Sequence, residues 1–209
     1  MSAMTESMPP VLKPMAGSFD ADLAATLIQT RQQFAPKRLH APGPDEAQIR
    51  AYFQAAAAAP DHGQILPWRF VVVPAERRAA LGEVFAAALR ERDPAASERE
   101  VTEAREKAHR APFLALAIAR EGGDDHPEIP SQERLISLGC AIQNMLLCAH
   151  ADGFGSGLVS GQALQTVGMR QLFALRDNER AVCFVAAGTA QRRKPVRLRP
   201  SPEDFVTRL

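Results

Sequence analysis

Residues 59–70 read APDHGQILPWRF, and they join an alanine-rich helical pattern to the apolar run WRFVVV. Pro60 has no N–H to give and disfavours helical geometry at Ala59, so it should stop the helix there. By the same rule Pro67 predicts extended geometry at Leu66, which would set the angle at which the chain enters the strand. Between the two prolines Asp61, His62, Gly63 and Gln64 place several hydrogen-bonding groups on a stiffened turn. A polar loop on a rigid helix–strand frame is where small-molecule contacts tend to be made. The same residues also suit a plain connector, so the loop alone leaves both readings open.

The chain around it is long enough for one domain with a substantial core. It has 209 residues, of which 46% are hydrophobic; this is a globular composition and not that of a disordered chain. Charges nearly cancel, at 25 basic against 24 acidic residues. No basic run is interleaved with aromatics, so nucleic acid is not an expected partner. No apolar run reaches the ~20 residues that span a bilayer, and the first residues show no secretory pattern. Cys140 and Cys148 share one helical pattern, about 12 Å apart along its axis, and cannot pair there. Cytoplasm is the expected location.

Taken in order, residues 1–18 are rich in Met, Pro and Ser and read as an N-terminal arm, with a single domain over 19–209. A first helix is predicted from near Asp20 to Gln33, with Leu23, Leu27 and Ile28 inward. Residues 35–44 hold three prolines and a glycine and read as loop. Asp45 opens a second helix with Gln48 as capping-box partner and Ile49, Tyr52, Phe53 and Ala56 as its buried stripe. The alanines at 55–59 let a neighbour come close, whether a packed helix or a cofactor. A third helix is predicted from Glu76 to about Arg92, and SEREVTEAREKAHR after it reads as a solvated helix. FLALAIA, residues 113–119, is a central strand buried on both faces. Asp124, Asp125, His126 and Glu128 are contiguous in a Gly/Pro-rich loop without a ligand-presenting frame, so no metal is expected.

The longest helical pattern runs from Ser131 to Asp152 and is apolar over most of its circumference, which predicts packing on more than one side, including against a second subunit. Gly153, Gly155 and Gly157 form G-x-G-x-G, but a helix precedes them and a strand follows, the reverse of a dinucleotide fingerprint. A short helix near residues 164–173 and a strand at 181–188 complete the core. The tail is basic, then proline-interrupted, then apolar, a form suited to embracing a partner subunit.

The string APDH…PWRF resembles a signature of the nitroreductase family, in particular its small YdjA-like branch. GCAIQNMLLCAHADGFGSG resembles that family's long dimer helix and the turn after it, and GTAQ…PEDFVTRL resembles the branch's C-terminus. The resemblance runs from about Leu27 to the end of the chain. It implies an α/β fold, a three-layer α/β/α sandwich with a mixed central sheet, in an intertwined homodimer holding two FMN at the subunit interface. It further implies NAD(P)H as reductant and ping-pong hydride transfer through flavin N5 to nitroaromatic, quinone or related acceptors. Such chemistry belongs to the cofactor, so no catalytic side chain is assigned.

Carried over, Arg31 matches the first arginine of the family's Arg-Arg-Ser element, a contact to the flavin phosphate or ribityl chain. Gln32 and Gln33 stand where the family has Arg and Ser. His62 matches a histidine of the flavin-contact loop, and Leu66 replaces a frequent glutamine. Leu158, Val159 and Ser160 occupy a flavin-lining segment, and Arg193 or Lys194 matches a C-terminal phosphate cation. The departures at Gln32, Gln33 and Leu66 also admit a flavin-binding protein without turnover, and the same fold admits a specialised or flavin-consuming relative.

Overall fold

The computed structural model describes residues 18–123, 126–192 and 198–209. The predicted N-terminal arm, Asp124, Asp125, Arg193 and Lys194 fall outside these residues, Ser18 excepted. In chain order the helices are α1 (Ser18–Thr30), α2 (Glu46–Ala57), α3 (Arg78–Arg92), α4 (Glu98–Glu106), α5 (Ser131–Ala151) and α6 (Val167–Leu172), with strands β1 (Leu39–His40), β2 (Trp68–Val72), β3 (Phe113–Arg120), β4 (Gly155–Val159) and β5 (Glu179–Ala190).

β3 explains the layering. Its side chains alternate between two faces: Phe113, Ala115, Ala117 and Ala119 join Tyr52, Leu138, Ile142 and Met145 in one core. Leu114, Leu116 and Ile118 join Leu81, Met169, Phe173 and Phe184 in the other. The alanines lie toward the long helix and the larger residues toward α3 and α6, so α5 lies close against the sheet. The fold is thus a three-layer α/β/α sandwich. The expectation of a mixed sheet needs correction: β1–β5, β2–β3, β3–β5 and β4–β5 are all antiparallel, and the parallel element is an isolated bridge between Gln33 and Ser156.

Several local expectations hold. Asp45 caps α2 and exchanges a capping box with Gln48. α4 begins with a second capping box, Ser97 with Glu100, and buries only Val101 and Ala104. α1 departs from expectation. It stops at Thr30, and Leu23 and Ile28 are 51% and 55% exposed, while Leu27 of the same predicted face is half-buried; no described element covers Leu23 and Ile28. The loop predicted at 35–44 contains β1, a two-residue strand held by the end of β5.

Two arginines fasten the sheet. Arg69 donates from Nε to Glu179 Oε1 and from Nη2 to Oε2, each at 2.8 Å, while the Arg176 N–H donates to Oε2 at 3.0 Å. This fork of donors outweighs burial and brings the Glu179 carboxyl from its ordinary 4.5 to about 2. A depressed carboxyl stabilises the fold above its unfolded value, and that contribution fades as pH falls from about 4.5 toward about 2. Arg69 is partly open to solvent, so the pair is worth roughly 2 kcal/mol. Glu179→Gln should lower the urea-unfolding stability by about that amount at neutral pH, with the gap to the unaltered protein closing as pH drops through this window. A gap independent of pH would show that the pair is not its source.

Arg78 is buried and faces carbonyls only: Nε donates to Val73 O and Nη1 to Ala108 O, both at 2.8 Å, and Nη2 to Pro112 O at 3.3 Å. Burial pushes its pKa down. The side chain ties the turn between α4 and β3 to the end of β2.

Candidate functional site

The 59–70 stretch forms a helix end, a tight turn and a strand, as read from sequence, but Leu66 is not extended. Gly63, Gln64 and Leu66 have φ of 69°, 54° and 48°. Asp61 is the reason, because its Oδ2 accepts the Leu66 N–H at 2.8 Å and closes the turn on itself. A left-handed leucine costs on the order of 1 kcal/mol or more, so Leu66→Asn, which tolerates this geometry, should raise stability by about 1 kcal/mol; a loss of that size in thermal unfolding would contradict the assignment. Asp61 Oδ1 is buried without a hydrogen-bond partner among the described residues. Leu66 itself is 54% exposed. His62 Nδ1 lies 2.7 Å from Glu133 Oε2, which pins the loop to the first turn of α5.

Arg31 follows α1 directly. From here the chain turns extended and runs beside β4: the Phe34 N–H donates to Ser156 O at 2.9 Å. Gln33 uses both ends of its amide on Leu158, donating from Nε2 to the carbonyl at 2.8 Å and accepting the N–H at 3.3 Å. Its side chain therefore splints the end of β4. Gln32 lines a small cleft beside Thr30 and His150, where Thr30 Oγ1 and His150 Nε2 are 2.8 Å apart.

The Arg31 guanidinium is electrostatically incomplete. Its Nε and Nη1 are buried and have no hydrogen-bond partner among the described residues. A second cation stands close, since Arg199 Nη2 donates to the Arg31 carbonyl at 3.1 Å. Burial first, and Arg199 second, push the Arg31 pKa down. A desolvated cation with spare donors and another cation beside it makes a place for an anion. Arg199 escaped the sequence reading, which placed the tail cation at Arg193 or Lys194, outside the described residues; a tail of alternating arginines and prolines does not say which one folds back.

A cavity of about 220 Å³ opens where β4 ends, under α3 and α4. Val159 and Ser160 line it together with Phe85, Leu114 and Phe184. Leu158 is not among the lining residues; its backbone holds Gln33 instead. The opposite wall takes Arg92 from the end of α3 and Lys107 and Arg110 from the charged 97–110 segment, which read as a solvated helix and whose match in the resembled family lies over the active site; none of these cations was singled out.

The predicted residues thus fall in two groups. Gln32, beside Arg31, lines the cleft at the His150 end of α5, and Gln33 links this group to the 158–160 segment through Leu158. His62 sits at the other, on Glu133. At ~1.5 Å per helical residue the two ends are about 25 Å apart, so one chain alone does not bring them together.

The chain is similar to known proteins along most of its length. The model of the nitroreductase family matches residues 35–189. A Haemophilus influenzae protein named "Putative NAD(P)H nitroreductase" is 33% identical over 187 residues, covering 89% of this chain and 99% of that one. "Putative NAD(P)H nitroreductase YdjA" of Escherichia coli is 32% identical over 189 residues, covering 89% and 98%. Among solved structures, a nitroreductase-like family protein from Bacillus cereus superposes with a TM-score of 0.74 at 16% identity, covering 99% of each chain. The FMN and NADPH-dependent nitroreductase NfnB from sphigopyxis sp. strain HMH superposes at 0.67 with 17% identity, covering 89% of this chain and 98% of that one. The matched segment takes in the 59–70 loop, all of α5 and nearly the whole sheet, and on that ground this chain belongs to the nitroreductase family.

Proposed function

We propose that the protein is an FMN-dependent NAD(P)H oxidoreductase whose site is completed by a second copy of the chain. The observation that carries the reading is Arg31, with two buried donors unpaired among the described residues and Arg199 at its carbonyl. FMN ends in a phosphate, and a planar guanidinium with spare N–H groups suits a phosphate oxygen. The residues present therefore fit the cofactor: Arg31 and Arg199 would hold the phosphate, and Val159 and Ser160 would border the ring.

The separation of His62 from Arg31 along α5 supports the dimer. Two chains packed antiparallel along this helix would set the His62 end of one beside the Arg31 end of the other. Apolar side chains are exposed where such packing needs them: Ile136 on α5 is 67% exposed, and Leu23 and Ile28 on α1 are also uncovered. Phe205 and Val206 in the tail are 69% and 54% exposed, an apolar end without cover among the described residues that suits a partner surface.

Bound FMN would supply the hydride chemistry between NAD(P)H and a nitroaromatic, quinone or related acceptor. The chain's own residues bind and orient. Gln33 keeps the β4 end in place through Leu158, Asp61 closes the 61–66 loop, and the His62–Glu133 pair fixes that loop to α5. No side-chain acid or base is assigned. Among the described residues no helix is long and apolar enough to cross a membrane, and the cytoplasm remains the proposed location.

Steady-state oxidation of NADH or NADPH with menadione or a nitrofuran as acceptor tests the reading. Saturable turnover by protein carrying FMN is the expected result. Protein that stays colourless after incubation with FMN overturns the proposal, and protein that binds FMN without turnover converts it to the non-catalytic binder.

A further inference from the structure

The cavity at the end of β4 carries an asymmetry that FMN binding alone does not call for. Its floor is apolar, built from Phe85, Leu114, Leu164 and Phe184, yet three cations, Arg92, Lys107 and Arg110, stand among its lining residues and no carboxylate does. We infer that this cavity binds a small aromatic or alkenyl carboxylate, with the apolar body on the phenylalanine floor and the carboxylate at the three cations. The inference deepens the proposed function by naming the class of acceptor, and it rests on that reading for the reaction but not for the binding.

The pairing pattern of the two helices over the cavity supports it. Away from the cavity, Arg90, Arg99 and Arg105 each have an acidic partner: Glu98, Glu103 and Glu83. The cations that line the cavity have none among the described residues, and Arg92 reaches only the neutral Gln162, its Nη1 donating to Oε1 at 3.3 Å. Cations of one sign around a cleft with low-dielectric walls focus the field into it, and a carboxylate there meets the planar fork of an arginine.

The backbone that presents two of these cations is also held with unusual care. Lys107 and Arg110 lie on the turn clasped by Arg78, which donates to the carbonyls of Ala108 and Pro112. Directly after Arg110, Ala111 is buried at φ 66°, a conformation that costs a non-glycine residue on the order of 1 kcal/mol. A buried arginine and a left-handed alanine fix the outlet of what is otherwise an exposed helix. Size narrows the class: about 220 Å³ is below the ~300–1,000 Å³ of sites for drug-sized ligands, so a single ring fits and a dinucleotide does not.

Calorimetric titration of the full-length purified protein with 4-nitrobenzoate and with its neutral isostere 4-nitrobenzamide tests the inference. The carboxylate should bind at least about 10-fold more tightly, the worth of one well-made charged contact, and the preference should be lost in Lys107→Glu and reduced in Arg92→Gln. Both side chains are exposed, so the variants should fold, which thermal melts would verify. Equal binding of acid and amide, or a preference that survives both substitutions, overturns the inference. The titration does not depend on turnover: failure of the flavin reading appears as absence of bound FMN or of NAD(P)H oxidation, while failure of this one appears as loss of the acid–amide difference.

Discussion

Gly157→Ala should destabilise the protein by at least about 3 kcal/mol, lowering Tm by roughly 6–12 °C. A β-carbon at this position would lie 2.3 Å from the Phe34 carbonyl oxygen and 2.8 Å from Gln33 Nε2. The first is backbone and cannot swing aside. To make room, residues 33–34 must leave β4, which breaks the Phe34 N–H bond to Ser156 O and both contacts between Gln33 and Leu158. Phe34 is a core residue, 5% exposed, so the displacement also opens the core. Gly155 is under the same pressure, since a β-carbon there would meet Ala190 Cβ and Leu39 Cδ2 at 2.8 Å. Arg31 lies just before the displaced segment, so the variant should also lose FMN. Thermal unfolding checks the first effect, and a Tm within about 2 °C of the unaltered protein would show that the crossing of β4 by residues 33–34 is not tight.

Arg31→Met should act in opposite directions on stability and on binding. Arg31 has two buried donors without partners among the described residues, and an unpaired buried charge costs free energy. Its replacement by an apolar side chain of similar length should leave the Tm unchanged or raise it by a few degrees. Binding should suffer: charge-assisted hydrogen bonds contribute about 1.5–3 kcal/mol each, so FMN affinity should fall by roughly 30-fold or more. Equilibrium titration with FMN and a melt of the ligand-free protein check both halves. A variant that loses stability and keeps its FMN affinity would make Arg31 an ordinary structural cation.

These two residues show where sequence stops being legible. Periodicity and capping are local, so α2 with its Asp45–Gln48 box, β3 as a doubly buried strand and α5 as the long apolar helix could all be read directly. The G-x-G-x-G pattern could be denied a dinucleotide role from its order alone. Its actual role, making room for residues 33–34, depends on a contact across more than a hundred residues that no local pattern reports. Leu66 failed for a similar reason: the rule for a residue before proline was applied without the Asp61 carboxylate that captures its N–H. Strand direction in the sheet was equally hidden, since continuous burial of β3 does not distinguish parallel from antiparallel neighbours. Among the candidate residues, the resemblance pointed to Arg31 and to residues 158–160, whereas Arg199 and the cations of the cavity became visible only when the tail, the end of α3 and the turn after α4 were placed.

The central proposal is an anion, the phosphate of FMN, bound at Arg31. Titrating the protein with FMN and with riboflavin, which has the same ring and no phosphate, while following the flavin absorption bands, tests this most directly. Saturable FMN binding, riboflavin weaker by at least about 30-fold (roughly 2 kcal/mol), and loss of that difference in Arg31→Met are the predicted results. Equal affinity for the two flavins, or no saturable binding of FMN, would contradict it.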